Sequence, residues 1–393
     1  MKGLFTQRAL PGLAIALSLL LTGAPARAAE YKVGLLLPFS GVYAGLGSHI
    51  ENGFKLGLEH FGADLGDHSV SLLREDTEAK PAVGLAKAKK MVLQDKVDVI
   101  AGIVSSAVLG AVRDLAHGSQ TPVVVANAGN DTMTGEKCSP YLIRVSFSNG
   151  QITRPMGPWM AAQGIKKVYL MAPDYAAGHQ MMEAFRKPFV AAGGEIVGEA
   201  YPPLQGTKDY GAYLSAVKTS GADALFTFFA GSAAIAFVKQ YAQFGLAESV
   251  PLYGAGFLTS AAYVHVQGQA ADGVIASLHY VPSLDTEENR RFQSAYQAAY
   301  GKVGSEFAVQ GYDAAHLIAQ AIKDSGGDKQ AFKHALARIR FDGPRGPLQL
   351  DPATNNVVQN IYIFRNEFAD GKVNQRVLST VENVRDEVNG CVL

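Results

Sequence analysis

Short apolar runs alternate with amphipathic stretches along most of this chain, and this alternation constrains the fold more than any other feature. In the first half the apolar runs are short, bounded by turn residues and nearly continuous, which predicts buried strands at Val33–Leu37, Val70–Leu73, Val97–Ile103 and Pro122–Ala126. The stretches between them space apolar residues three and four apart, which predicts helices at Ile50–Phe61, Ala82–Gln94 and Val108–His117. Strand and helix in alternation predict a parallel sheet covered on both faces.

The same pattern restarts after Asn149. It predicts strands at Val168–Ala172, Glu195–Tyr201, Ala224–Phe229 and Leu252–Tyr253, with helices at Gly178–Ala192, Tyr210–Thr219 and Ala233–Phe244. The remainder is less regular, with a strand at Gly273–Tyr280, helices at Glu287–Tyr300 and Tyr312–Ser325, and a hairpin of Val358–Phe364 with Val373–Val381. We therefore expect an α/β protein with two doubly wound lobes of similar plan, joined near residues 145–150.

Composition excludes several functional classes. The 393 residues include 35 Lys and Arg against 35 Asp and Glu, so the chain lacks the basic excess that binding to nucleic-acid phosphates requires. At 48% hydrophobic and 18% charged residues, the chain is too apolar to be disordered. The length fits two domains, each large enough for its own core.

The N-terminal segment has the features of a secretory signal peptide. Lys2 and Arg8 precede an apolar run, Leu13–Leu21, and Ala26-Arg27-Ala28 has the small-x-small pattern of a cleavage site. The apolar run is short for a bilayer-spanning helix. We expect residues 1–28 to be a signal peptide that is cleaved after Ala28, and the mature protein to be exported.

Sequence signatures of catalysis and metal binding are absent. The chain has no G-x-x-x-x-G-K-[ST], H-E-x-x-H, G-x-S-x-G or C-x-x-C motif, and its nine histidines form no close pair with metal-ligand spacing. Ser105 and Ser106 are candidate nucleophiles, but no local pattern places a general base beside them. We therefore predict no enzyme activity, no cofactor and no metal.

Small polar loops follow the predicted strands, at the edge where an open α/β sheet leaves its crevice. Each loop is weak evidence alone, but six in register across two lobes would meet around one cleft. They are residues 38–47, 102–107, 127–130, 173–178, 228–231 and 254–257.

The residues in and around these loops resemble the type I periplasmic solute-binding proteins of ABC importers, of the leucine/isoleucine/valine-binding kind. The resemblance covers Val33 to about Val381, and its most specific segments are residues 34–41, Asp76 with Lys80-Pro81, and residues 99–102, 144–146, 174–178 and 310–315. Residues 127–129 and 235–241 are most similar to the subgroup associated with benzoate-type and nitrobenzoate-type aromatic acids.

This resemblance implies two lobes joined by three crossover strands, which close on a small ligand. Residues 29–147 with about 282–347 would form the first lobe, and residues 148–281 with about 348–393 the second. It further implies a periplasmic location, a membrane permease as partner and, we expect, a monomer. The ligand-facing residues would be Tyr43, Ser105, Ser106, Ala128, Gly129, Asn130, Tyr175, Phe229, Gly256 and Phe257.

The loop at residues 254–257 bears on the ligand type. Amino-acid binders of this kind place a carboxylate there to pair the ligand's ammonium, whereas this chain has Gly-Ala-Gly-Phe. A buried ammonium without a partner is costly, so the ligand is expected to be an aromatic carboxylate. Strand alternation allows only one of Phe228 and Phe229 to face the cleft, and we select Phe229. Branched-chain amino acids or short amides remain an alternative, as does a ligand-sensing domain.

Two further features stay open at this stage. Arg144 is either a clamp for the ligand's carboxylate or an ion-pair partner in the hinge, and its place in the crossover favours the hinge. Cys138 and Cys391 would most simply form a disulfide in an oxidising compartment, but their spacing does not exclude free thiols. If the disulfide forms, it holds the C-terminal tail near the first lobe.

Overall fold

The computed structural model describes residues 1, 3 and 28–393 of the chain. The predicted signal peptide, residues 1–28, therefore falls almost entirely outside the described residues. Among the helices that are described, none is both long enough and apolar enough to span a bilayer. From residue 30 onward strands and helices alternate, which confirms the predicted α/β class.

Five strands form the sheet of the first lobe: β1 (Glu30–Leu37), β2 (Ser69–Asp76), β3 (Val99–Gly102), β4 (Val123–Val125) and β5 (Leu142–Arg144). Their order is β2-β1-β3-β4-β5, and every neighbouring pair is parallel. Strands β3, β4 and β5 are buried along their whole length, and the sequences of β3 and β4 are correspondingly free of polar side chains. Three helices connect these strands: α1 (Ala44–His60), α2 (Pro81–Lys90) and α3 (Ser106–Ser119).

The second lobe contains a larger, mixed sheet. Its parallel part consists of β6 (Lys167–Met171), β7 (Glu195–Ala200), β8 (Ala224–Thr227), β9 (Leu252–Ala255) and β10 (Ile275–Leu278). The helices of this lobe are α4 (Asn149–Thr153), α5 (Met156–Ala162), α6 (Ala176–Ala191), α7 (Gly211–Thr219), α8 (Gly231–Gln243) and α9 (Val264–Gln267). The sequence pattern predicted all five strands of this parallel part.

Three more helices return the chain to the first lobe: α10 (Glu287–Tyr300), α11 (Glu306–Ser325) and α12 (Lys329–Ala335). Helix α11 packs against α1 at a distance that only glycine permits. A Cβ atom on Gly53 would lie 1.8 Å from the Ala308 carbonyl oxygen, and one on Gly311 would lie 2.0 Å from that of Ile50. This close packing fixes the start of α11 beside the first lobe's sheet.

Four antiparallel strands complete the second lobe's sheet: β11 (Arg340–Gly343), β12 (Gly346–Leu350), β13 (Val357–Ala369) and β14 (Lys372–Val384). Strand β13 joins them to β10. Strands β13 and β14 confirm the predicted terminal hairpin, with longer strands than the apolar runs indicated. The β11–β12 hairpin was not predicted, because six of the nine residues in its strands are polar, charged, glycine or proline.

The chain passes between the lobes three times, after β5, after β10 and before β11. Buried polar contacts tie these connections together. The guanidinium of Arg345 lies 2.7 Å from the Asp313 carboxylate of α11 and donates to the Ser146 carbonyl at 2.8 Å. Both charged side chains are completely buried, so the ion pair forms part of the interior at the hinge.

The C-terminal tail adds a covalent link. Cys138, between β4 and β5, forms a disulfide with Cys391, 253 residues later. The two cysteines are therefore bonded rather than free, which settles the alternative that the sequence left open. The disulfide holds the tail, which follows β14 of the second lobe, against the first lobe.

Candidate functional site

The loops at the carboxyl ends of the strands in both sheets meet around one cavity with an empty volume of about 300 Å³. The first lobe contributes residues after β1, β3 and β4, and the second contributes residues after β6, β8 and β9. The first connection between lobes and the start of α11 complete the wall. The lining residues are Tyr43, Leu46, Val104, Ser106, Asn127, Gly129, Phe147, Asn149, Tyr175, Ala177, Met181, Phe228, Ala230, Phe257 and Phe307.

One polar part of the cavity lies at the N-terminus of α3. Ser106 is the first residue of this 14-residue helix, and its hydroxyl accepts a hydrogen bond from Asn149 Nδ2 at 3.2 Å. Ser105 precedes the helix, and its buried hydroxyl has no hydrogen-bond partner among the described residues. Free backbone N–H groups at a helix N-terminus favour an anion, so this part of the cavity suits a carboxylate.

Gly129 allows the two lobes' backbones to approach closely beside α3. Its carbonyl accepts a hydrogen bond from the Asn149 backbone N–H at 2.7 Å. A Cβ atom at this position would lie 2.4 Å from Asn149 Oδ1 and 2.6 Å from the Phe147 ring. Any larger residue would therefore displace two residues of the cavity wall.

Aromatic rings form most of the remaining wall. Phe257 lies at the centre of this group, 5.0 Å from the Phe147 ring and 5.5 Å from the Phe307 ring, in the second case nearly parallel to it. Phe228 lies 6.3 Å from both Phe257 and Tyr175. Rings at these separations make favourable offset or tilted pairs and present flat apolar surfaces.

Two tyrosines close the cavity from opposite lobes. The hydroxyls of Tyr43, after β1, and Tyr175, after β6, lie 2.9 Å apart and share a hydrogen bond. Burial raises the pKa of Tyr43 to about 12 and raises that of Tyr175 well above its usual range. Both phenols are therefore neutral hydrogen-bonding groups at physiological pH.

None of the lining residues carries a charge. Two acids close to lining residues in the sequence are engaged elsewhere: Asp313 pairs with Arg345, and exposed Asp174 lies 2.8 Å from His179. Asn127 of the wall donates to Gln310 behind it, and the Gln310 amide nitrogen lies 3.1 Å from His279 Nε2. Burial, followed by the charge of Arg345, lowers the pKa of His279 well below its usual range, so this ring is neutral as well.

Arg144 is not a cavity residue. It is buried, and its guanidinium donates to Asn356 Oδ1 at 2.7 Å and to the Asn130 carbonyl at 2.9 Å, and it pairs with Asp386 of the tail at 3.2 Å. These contacts confirm the interpretation of Arg144 as an ion-pair partner in the hinge. No group of three or more His, Cys, Asp or Glu side chains among the described residues is placed to hold a metal.

The structure brings together half of the predicted site residues. Tyr43, Ser106, Gly129, Tyr175 and Phe257 line the cavity. Three others lie just behind it, namely Ser105, Ala128 and Asn130. Ala128 is buried in the core beside α3, and the Asn130 side chain donates to the Ser106 carbonyl and accepts from Gln180.

The selection of Phe229 over Phe228 was wrong. Phe228 lines the cavity, whereas Phe229 packs in the core 4.5 Å from the Phe237 ring and 5.3 Å from Tyr210. The alternation argument failed because β8 ends at Thr227, so neither phenylalanine lies in regular strand. Gly256 does not line the cavity either. A Cβ atom added there would lie 2.5 Å from the Leu278 side chain.

Sequence reasoning missed several lining residues. Phe147 and Asn149 belong to the first connection and Phe307 to the start of α11, and no strand-end loop marks these places in the sequence. Asn127 could have been predicted as a lining residue, because it begins the polar loop after β4. Leu46 and Ala177 lie within the predicted loops 38–47 and 173–178, in the first turns of α1 and α6, and Met181 lies in the second turn of α6.

Comparison with known proteins agrees with this arrangement. A family model described as periplasmic binding protein matches residues 30–372. The chain belongs to this family. A relative from Brucella melitensis, named Leu/Ile/Val-binding protein homolog 6, is 33% identical over 384 residues, which cover 95% of this chain and 98% of the relative.

Among solved structures, this periplasmic binding protein is similar to two ABC transporter solute-binding proteins of R. palustris. One, in complex with benzoate, is 37% identical with a TM-score of 0.86, and the match covers 93% of this chain and 100% of that one. The other, in complex with 4-hydroxybenzoate, is 33% identical with a TM-score of 0.86, over 91% and 98% of the two chains. A leucine-binding protein of Thermotoga maritima, 22% identical with a TM-score of 0.80, shares the fold.

Proposed function

We propose that this protein captures a small aromatic carboxylate of the benzoate type and delivers it to an ABC importer. The observation that carries this proposal is a cavity with six aromatic side chains and no charged one. Such walls favour a flat apolar ring, and burial of a ring contributes favourably in proportion to its area. The benzoate and 4-hydroxybenzoate complexes of similar proteins support the same ligand class.

The ligand's carboxylate would bind at the N-terminus of α3. The Ser106 hydroxyl and the first backbone N–H groups of that helix supply neutral donors, and Ser105 holds a hydroxyl without a partner nearby. Helix N-termini stabilise an anion without a counter-charge. Of the other predicted ligand contacts, Tyr43, Gly129, Tyr175 and Phe257 are proposed to touch the ring or its carboxylate directly. Ala128 and Asn130 are proposed to position them from behind.

A zwitterionic amino acid fits this cavity less well. Its ammonium would lose water on entry and would find no carboxylate among the lining residues. The desolvation penalty for an uncompensated ion is several kcal/mol. The relative named for leucine, isoleucine and valine keeps branched-chain amino acids as the alternative ligand.

The same proposal places the mature protein in the periplasm, cleaved after Ala28, as a monomer that docks on a membrane permease. The lobes would close on the ligand by rotation about the three connections and hold it until the permease releases it. The family is one of binding proteins, and no catalytic step is proposed for Ser105 or Ser106, since no general base lies within hydrogen-bond reach of the Ser105 hydroxyl among the described residues.

Calorimetric titration with benzoate, leucine and valine tests the proposal. Benzoate should bind at least about tenfold more tightly than either amino acid, a difference of about 1.4 kcal/mol. Two adjacent substitutions give a matched control. Phe228→Leu should weaken benzoate binding, whereas Phe229→Leu should lower the melting temperature with the affinity unchanged. Tight leucine binding without any response to benzoate would overturn the proposal in favour of the amino-acid alternative.

A further inference from the structure

The hydroxyl pair of Tyr43 and Tyr175 contains one hydrogen-bond donor more than the protein uses. Two phenols carry two O–H protons, and the contact between them consumes one. Neither hydroxyl has another hydrogen-bond partner among the described residues. The second proton therefore lacks a protein acceptor, on a pair in which Tyr43 is buried, at 2% exposed, and Tyr175 is half-buried.

Apolar groups lie against the pair. The Phe228 ring stacks 6.3 Å from Tyr175, and the start of α8 lies against the Tyr43 ring, where a Cβ atom on Gly231 would be 3.3 Å from it. The pair makes no hydrogen bond to Ser106 or Asn149. The tyrosine pair is thus a polar group of the cavity wall that is not hydrogen-bonded to the α3 terminus.

An unpaired buried donor costs free energy, and a ligand that supplies an acceptor recovers it. We propose that the tyrosine pair selects aromatic carboxylates whose ring carries an oxygen acceptor remote from the carboxylate, such as a hydroxyl or methoxyl group. This inference rests on the proposed function and narrows its ligand class. Because one tyrosine comes from each lobe, an acceptor held by the pair would contact both lobes and favour their closure.

Neutral phenols suit this role. Burial raises the pKa of Tyr43 to about 12, so the proton remains on the pair throughout the physiological range. A ring hydroxyl on the ligand can accept the free proton and also brings an O–H of its own, so that three hydroxyls can satisfy one another in a ring, whereas a methoxyl group can only accept. A methyl group has nearly the volume of a hydroxyl but offers no acceptor, so 4-methylbenzoate is the matched probe for 4-hydroxybenzoate.

The experiment is calorimetric titration with benzoate, 4-methylbenzoate, 4-hydroxybenzoate and 4-methoxybenzoate. Wild-type protein should bind 4-hydroxybenzoate at least tenfold more tightly than 4-methylbenzoate. Either single variant, Tyr43→Phe or Tyr175→Phe, should retain most of this ratio, because the remaining hydroxyl still carries one proton. The double variant should lose it, and the two ligands should then bind within about twofold of each other. Tyr210→Phe makes the same chemical change in a buried ring outside the cavity and should leave the ratio unchanged.

The outcomes separate this inference from the proposed function. A wild-type ratio near one, with tight benzoate binding, would overturn the selection by the tyrosine pair and leave the proposed function intact. Equal weakening of all four ligands in the double variant would also overturn it, since the pair would then serve the carboxylate or closure alone. Failure of every aromatic carboxylate to bind would overturn both.

Discussion

Arg144 and Asp386 form a buried ion pair, with 3.2 Å between Nη2 and Oδ2 and side chains that are 2% and 4% exposed. Arg144 ends β5 of the first lobe, and Asp386 lies in the C-terminal tail. Asp386 also accepts hydrogen bonds from Thr134 at 2.5 Å and Ser148 at 2.7 Å. The pair therefore joins the first connection between lobes to the tail that the disulfide holds.

Removal of Asp386 should be strongly destabilising, because the buried Arg144 would lose its ion-pair partner. We expect Asp386→Ala to lower the free energy of unfolding by about 3 to 5 kcal/mol in urea denaturation. The exposed pair of Arg376 and Glu367 is the control, and Glu367→Ala should cost about 1 kcal/mol or less. Similar small effects of both substitutions would show that the buried pair is not structural.

The disulfide between Cys138 and Cys391 should contribute to stability mainly through the unfolded chain. Because it closes a long loop, the double variant Cys138→Ser/Cys391→Ser should lose about 2 to 5 kcal/mol of unfolding free energy. Reductant should shift the melting temperature of the wild type toward that of the variant and should leave the variant unchanged. A variant that melts with the wild type under oxidising conditions would contradict this expectation.

Glu306, at the start of α11, predicts a pH dependence of stability. Its carboxyl is completely buried, and burial raises its pKa from 4.5 to about 7, against the opposing effects of the Ser260 hydroxyl and of the Glu306 and Ala261 backbone N–H groups. Between about pH 4.5 and 7 the carboxyl ionises in the unfolded chain but stays protonated in the folded protein. The free energy of unfolding should therefore fall as the pH rises through this window and level off above it.

Comparison of Glu306→Gln with the wild type isolates this contribution from other buried acids. Relative to the wild type, the variant should gain stability on the order of 3 kcal/mol between pH 4.5 and 7.5, measured by denaturant unfolding at each pH. Glu59→Gln removes a charge from an exposed position of α1 and serves as the control. A stability difference that stays constant with pH would show that Glu306 is ionised in the folded protein.

The sequence was sufficient for the parts of the fold that depend on local patterns. Buried parallel strands such as β3 are continuous apolar runs, and the helices between them keep one apolar face, so both lobes were predicted in order. Strand β5 was missed because three residues, Leu142–Arg144, are too few to show a period. Its last residue is charged and acquires a partner only when the tail folds back from the end of the chain.

The cavity was predicted only in part, for a physical reason. Residues at the ends of the loops that follow strands, such as Ser106 after β3, lie at the crevice along the carboxyl edge of the sheet. Phe147 and Phe307 reach the cavity through the relative placement of the two lobes, which no local pattern encodes. Phe228 and Phe229 are chemically equivalent in sequence, and only the turn after β8 decides which of them leaves the core.

Gly231 provides a test of closure, because it lies where the two lobes are in close contact. It begins α8 in the second lobe with φ of +63°, and an added Cβ atom would lie 2.3 Å from the carbonyl oxygen of Val42 in the first lobe. Gly231→Ala should therefore prevent the lobes from reaching this spacing and weaken benzoate binding at least about tenfold, or 1.4 kcal/mol. Gly245 has nearly the same φ, +66°, with no atom within 4 Å of its added Cβ.

Gly245→Ala is thus the matched control for backbone strain. Both substitutions should cost about 1 to 2 kcal/mol of unfolding free energy, because a left-handed conformation disfavours any residue with a Cβ atom. Only Gly231→Ala should weaken the ligand, and small-angle scattering of that variant with saturating benzoate should show a larger radius of gyration than ligand-bound Gly245→Ala. Equal affinities in the two variants would mean that the approach of Gly231 to Val42 is not required for binding.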